Sequence, residues 1–201
     1  MFCAAISKVY KEHCYLREHL QQDEVTKFDH IISKDPTFPA LTCALQDLSE
    51  YLARYHQQKC VVLIDEYDSL IGTAYHEGYY DKAMKFLRPM FSLLLKDNVN
   101  LNQAFLVGIL RVGKSGFLSG LNNISVYPMT HPQFASSFGF TSDEVELLLT
   151  YHNVNIAIED VMNWYNGYNI GEDDSCYSIF NPWSIINLCK DRVLRPFWCE
   201  S

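Results

Sequence analysis

Apolar residues recur along this chain at changing intervals, and the changes mark its elements. Over residues 2–20 they return every three or four positions among Ala, Glu and Lys, which predicts a helix. A second helical piece is predicted over 24–33, and residues 34–39, with Pro36 and Pro39, read as a loop. Pro39 suits the first position of an amphipathic helix reaching about His56, with Leu41, Leu45, Leu48, Leu52 and Tyr55 on one face. The helical interval then gives way to an unbroken run, Val61 to Ile64, short and β-branched. Such a run predicts a strand covered on both faces, where Leu63→Ala is expected to destabilise by about 2–5 kcal/mol. A short loop follows, then a helix over about 79–96 interrupted and kinked at Pro89, and a polar turn at 97–102. Ala104 to Val112, AFLVGILRV, predicts a second apolar strand. Strand, helix, strand implies a parallel pair joined by a right-handed crossover.

Residues 113–132 carry glycines, asparagines and prolines and read as an irregular loop. Thr141 with Glu144 three positions later forms a capping box, opening a helix with Val145, Leu148 and Leu149 on its buried stripe. A further helix is predicted over 158–165, stopping at Asn166 and Gly167. Asn181 is a good N-cap for a helix beginning at Pro182 and ending near Lys190. There is no internal repeat and no low-complexity linker. The expected division is an α/β core over 1–135 and a helical region over 136–201.

The stretch KCVVLIDEYD, Lys59 to Asp68, concentrates the candidate chemistry. A buried strand ending in adjacent carboxylates, Asp65 and Glu66, projects them beyond its carboxyl end, where ligands of parallel α/β sheets bind. This is the pattern of a Walker B strand: one acid associates with magnesium and the next polarises the attacking water. The alternative is a strand end whose acids cap the following helix. Asp68 is open between the magnesium shell and helix entry.

Gly108 to Ser115, GILRVGKS, fits the phosphate-loop pattern GxxxxGK[ST]. Three features weigh against that reading. Ile109, Leu110 and Val112 continue an apolar strand, whereas a phosphate cradle needs a loop offering backbone N–H groups. Gly116, Gly120, Asn122 and Asn123 are poor formers of the helix that should follow. The acidic strand also comes first, the reverse of the usual order. A strand end directing polar groups at a site is the preferred reading.

Composition narrows the classes. With 48% hydrophobic and 20% charged residues the chain is globular. A formal net charge of −8 argues against direct nucleic-acid binding but is compatible with a metal-bridged phosphate ligand. The 7 cysteines show no CxxC pair, and the count is odd with no evident secretory leader. Reduced, mostly buried thiols in an intracellular protein, cytoplasmic or nuclear, are expected. No apolar run is long enough to span a bilayer. The 7 histidines lack HxxxH or HExxH spacing and read as surface or packing residues. Trp164, Tyr165, Tyr168, Phe180 and Trp183 admit a base-stacking reading, but packing within the C-terminal region is favoured.

Several blocks in order resemble the AAA-ATPase-like family, P-loop proteins often joined to a PD-(D/E)XK-type nuclease domain. LSEYLARYHQQKCVVLIDEYDSLIGTAYHEGYYDKAMKFLRPMFSLLLKDN looks like its Walker B region. AFLVGILRVGKSGFLSGLNNISVYPM looks like its next strand and sensor loop. FGFTSDEVELLL, and WYNGYNIG followed by YSIFNPWSIINL, look like its helical lid. The resemblance implies a partial P-loop NTPase fold of the ASCE type, with a parallel sheet, flanking helices and a C-terminal helical lid. It implies Asp65 as the magnesium-associated acid, Glu66 as the water-activating base, and Arg111, Lys114 or Ser115 as the nucleotide-sensing or nucleotide-contacting group. ATP with Mg2+ is the implied ligand. The family's phosphate loop, of the type RRFGKS, lies in an N-terminal segment not found before Met1, so ATP binding and hydrolysis are expected to be impaired. A non-catalytic interaction module, by self-association or with a partner chain, is the alternative. A nucleotide enzyme using Gly108–Ser115 as its phosphate loop is the third reading.

Overall fold

A computed structural model describes residues 2–33, 38–109, 121, 123–129, 131–170 and 177–199. The chain divides into two units, Met1–Ile124 and Ser125–Ser201. Helix and strand are mixed, as an α/β reading requires.

The first unit begins with α1 (Phe2–Glu12), a 3-10 turn (Cys14–His19) and α2 (Gln22–Ile32). The predicted single helix over 2–20 is therefore corrected. The chain leaves helical geometry at His13, and the tighter turn carries Leu16 into the core. α2 opens where the Glu24 carboxylate accepts the Gln21 backbone N–H at 2.9 Å. The same carboxylate receives two hydrogen bonds from Arg54 of α3 (Phe38–His56). That guanidinium holds the Glu24 carboxyl below its ordinary range. The buried stripe of α3 is Leu41, Ala44, Leu48 and Tyr51, while Tyr55 is exposed. Ala44 suits a close approach, because the buried Tyr10 hydroxyl donates to its carbonyl at 2.6 Å.

β1 (Cys60–Ile64) is followed by α4 (Ser69–His76), α5 (Tyr80–Leu95) and β2 (Leu101–Leu106). The predicted short loop after Asp68 thus contains a helix. β2 starts earlier than expected, because the Asn98 side chain donates to Leu94 and Ser49 and accepts from the Asn100 amide, completing the turn before Leu101. β1 and β2 are parallel, with Val62 beside Ala104, Leu63 beside Phe105 and Ile64 beside Leu106. Val62, Ile64, Ala104 and Leu106 face the core that α1, α2, α3 and α5 enclose.

The opposite sheet face corrects the expectation of two-sided burial. Val61 is 54% exposed, Leu63 74%, Phe105 47% and Val107 60%. Among the described residues the sheet has these two strands alone, and one layer of helices covers it. An apolar run cannot distinguish one covered face from two, since alternate residues are apolar in either case.

The second unit contains a 3-10 turn (Pro132–Ser137), α6 (Ser142–Tyr151), α7 (Ile158–Tyr165), β3 (Asn166–Ile170), β4 (Tyr177–Phe180) and α8 (Pro182–Asp191). Thr141 and Glu144 form the expected capping box. Asn181 caps α8 by accepting from Trp183 and Ser184. β3 and β4 form an antiparallel pair, so the region expected to be helical also carries strands. Val145, Leu149, Val161, Tyr165, Phe180, Ile185, Leu188 and Phe197 make its core. Tyr165 and Phe180 of the aromatic set pack inside, whereas Trp164, Tyr168 and Trp183 are exposed.

Among the described residues no helix is long and apolar enough to cross a membrane. Cys3, Cys14, Cys43, Cys60, Cys189 and Cys199 are free thiols. Of these Cys189 alone is buried, against the expectation of mostly buried thiols.

Candidate functional site

β1 ends at Ile64, and the next two residues present their carboxylates at its carboxyl end. Asp65 and Glu66 are both exposed. Asp65 Oδ1 accepts the Glu66 backbone N–H at 2.9 Å, which orients the carboxylate. Glu66 has φ of 48°, in the left-handed region. The other described non-glycine residues with positive φ, Gln57, Asp97, Asn153 and Arg192, all lie at or just beyond helix C-termini. Glu66 instead follows a strand. A left-handed non-glycine residue costs about 1–2 kcal/mol, and strain of this kind concentrates at functional sites. Glu66→Gly is therefore expected to raise stability by up to about 1 kcal/mol, measured as a shift in the urea midpoint.

The acidic turn is held against the chain leaving β2. Val107 N–H donates to the Ile64 carbonyl at 2.9 Å, and Tyr67 N–H donates to the Val107 carbonyl at 3.2 Å. Asp68 occupies the N-cap position of α4 but makes no side-chain capping bond. It is 6% exposed, and its Oδ2 accepts the Ile109 backbone N–H at 3.1 Å. Asp68 thus stands at helix entry, one of the two places expected for it, and its bond from Ile109 is additional to that position. Gly108 sits where a Cβ would lie 2.6 Å from Asp68 Oδ1 and 2.7 Å from the Tyr67 ring. Glycine is needed there for the close approach of two loops, which gives the first glycine of the GILRVGKS segment a packing reason.

Arg111, Lys114 and Ser115 lie outside the described residues. Ile109, the last described residue before them, is 96% exposed and no longer in β2. The expected strand over 104–112 therefore ends earlier, at Leu106. Among the described residues no three His, Cys, Asp or Glu side chains are placed to hold a metal ion. An exposed carboxylate with one oxygen oriented by a backbone amide nonetheless fits Mg2+, which takes one or two carboxylates and completes its shell with water and substrate phosphates.

The chain belongs to the family described as Predicted AAA-ATPase, whose profile matches residues 5–118, more than half of the 201 residues. Asp65, Glu66, Asp68 and Gly108 all fall inside the matched span. A curated relative, the uncharacterized protein in the vnfD 5' region of Azotobacter chroococcum mcd 1, is 26% identical over 146 residues. That alignment covers 72% of this chain, and the chain spans only 27% of the relative's length. No solved structure matches the chain.

Proposed function

We propose that this chain carries the magnesium and water-activating side of an ATPase core with a P-loop NTPase fold, β1 serving as its Walker B strand. The observation that carries the reading is the pair Asp65 and Glu66, exposed at the carboxyl end of a parallel strand and tied to the outgoing end of the neighbouring strand. In this reading Asp65 would hold Mg2+, and Glu66 would orient the attacking water and take its proton. Mg2+ supplies charge neutralisation on the phosphates when bound. Arg111, Lys114 and Ser115 follow Ile109 directly and are the candidate nucleotide-sensing and nucleotide-contacting groups. All described elements before β1 are helical, so the phosphates receive no strand-and-loop cradle from them. ATP binding by this chain is accordingly weak, and hydrolysis is impaired.

Calorimetric titration with ATP, in magnesium and then in excess chelator, tests the reading. Weak binding present only with magnesium supports it. Tight binding abolished by Lys114→Ala would instead make Gly108–Ser115 the phosphate loop.

A second reading, self-association, draws on the exposed apolar face of Val61, Leu63, Phe105 and Val107. Parallel sheets are ordinarily covered on both sides, and an uncovered apolar face marks an interaction surface. Sedimentation equilibrium is expected to detect concentration-dependent dimers that Leu63→Lys returns to monomers. A wild-type chain that stays monomeric at high concentration would rule this reading out.

A further inference from the structure

Three side chains of the first unit converge on its surface although no spacing in the sequence joins them. His13 stands at the exit of α1, Tyr15 lies in the 3-10 turn that follows, and His56 is the last residue of α3. The Tyr15 hydroxyl oxygen is 3.2 Å from His13 Nδ1 and 2.9 Å from His56 Nε2, with 41 positions separating Tyr15 from His56. Two donors held at about 2.0–2.1 Å from one ion, at tetrahedral or square angles, stand about 2.9–3.4 Å apart. Both observed spacings suit a shared ion. The Tyr55 ring packs 5.2 Å from that of Tyr15 and 4.8 Å from that of His56, which limits the freedom of both. Tyr15 is 42% exposed, so water can reach the cluster and complete a coordination shell. Both histidines stand at helix C-termini, where the last carbonyls favour a cation.

We propose that His13, Tyr15 and His56 form a binding site for a divalent transition ion of the Zn2+ and Ni2+ class. Imidazole nitrogens are the commonest ligands of such ions, and the phenol oxygen supplies the third donor. As the metal–oxygen bond forms, the phenol O–H breaks and its proton passes to solvent. No three His, Cys, Asp or Glu side chains meet among the described residues, and here the phenol takes the place of the third. Mg2+ takes oxygen ligands, so this nitrogen-rich site differs in chemistry from the acids after β1 and does not depend on the ATP reading. A bound ion ties the turn after α1 to the end of α3, just before the chain enters β1.

Titration of the full chain with Ni2+ alone, followed by calorimetry and by ultraviolet difference absorption, tests the assignment. Ni2+ is the better probe because imidazole suits it, whereas Zn2+ is also drawn to thiolates. The wild type is expected to bind Ni2+ at a site whose affinity falls about tenfold or more in His13→Ala and in His56→Ala. His76→Ala, which removes an exposed histidine of α4, is expected to leave that affinity unchanged. Saturation is expected to bring out the absorption of an ionised tyrosine at neutral pH, absent in Tyr15→Phe. Excess Mg2+ is expected not to displace the ion. No Ni2+ binding, equal affinity in the wild type and His56→Ala, or saturation without the ionised-tyrosine signal would each overturn the site. The absorption signal is read in the wild type, so it decides the matter even where a variant fails to fold.

Discussion

Phe28→Ala is expected to destabilise the first unit by about 3–5 kcal/mol, read as a shift in the denaturation midpoint. Phe28 is fully buried in α2, with its ring 4.9 Å from that of Tyr10 and 6.4 Å from that of Tyr51. Those partners belong to α1 and α3, so one side chain joins all three helices. Truncating it opens a cavity that none can fill without moving its backbone. The same measurement on Leu63→Ala should give less than about 1 kcal/mol, which corrects the larger loss expected of a strand covered on both faces, because a side chain 74% exposed has little contact to lose. Composition would rank the two apolar truncations together, but burial separates them. An equal loss from both would show that the outer face of β1 is covered in solution.

Glu66→Gln is expected to bring the residual magnesium-dependent ATP turnover of this chain down by about 100-fold or more, to the uncatalysed background, while leaving the melting temperature unchanged. The amide keeps the size and hydrogen-bonding reach of the carboxylate but cannot take a proton from water. Stability should not respond, because the Glu66 side chain is exposed and its backbone strain is unaltered by the exchange. A large fall in melting temperature would place Glu66 in the fold rather than in the site. Glu66→Gly separates the two contributions from the other direction, being expected to gain stability and lose turnover.

Features governed by neighbouring residues were legible in the sequence. The Thr141–Glu144 box and the Asn181 cap are written within four positions, and both helices begin where those residues predict. The strand of Val61 to Ile64 and its parallel partner were legible from apolar runs separated by a helix. The helix α4 was missed because Gly72 and β-branched Ile71 and Thr73 weaken its local propensity, and tertiary packing of Ile71 and Ala74 overrides it. The β3–β4 pair was missed because Asn166, Gly167 and Asn169 interrupt the alternation that marks a strand.

Within the site, the adjacency of Asp65 and Glu66 was plain, but their setting was not. The left-handed conformation of Glu66 has no signature in a residue that ordinarily avoids it. The bond from Ile109 to Asp68 joins residues far apart in the chain, and no local pattern encodes it. Gly108 was the available signal: a glycine directly after an apolar strand marks a close backbone approach. Its coincidence with a phosphate-loop pattern drew attention to a ligand instead of to Tyr67 and Asp68.

Paramagnetic broadening by Mn2+–ATP, followed across the backbone amides, tests the central claim most directly. The account predicts that broadening centres on Asp65, Glu66 and Tyr67 and on Val107 to Ile109, and that Asp65→Asn abolishes it. Broadening centred elsewhere, or left unchanged by Asp65→Asn, would contradict the assignment of a magnesium–nucleotide site to the end of β1.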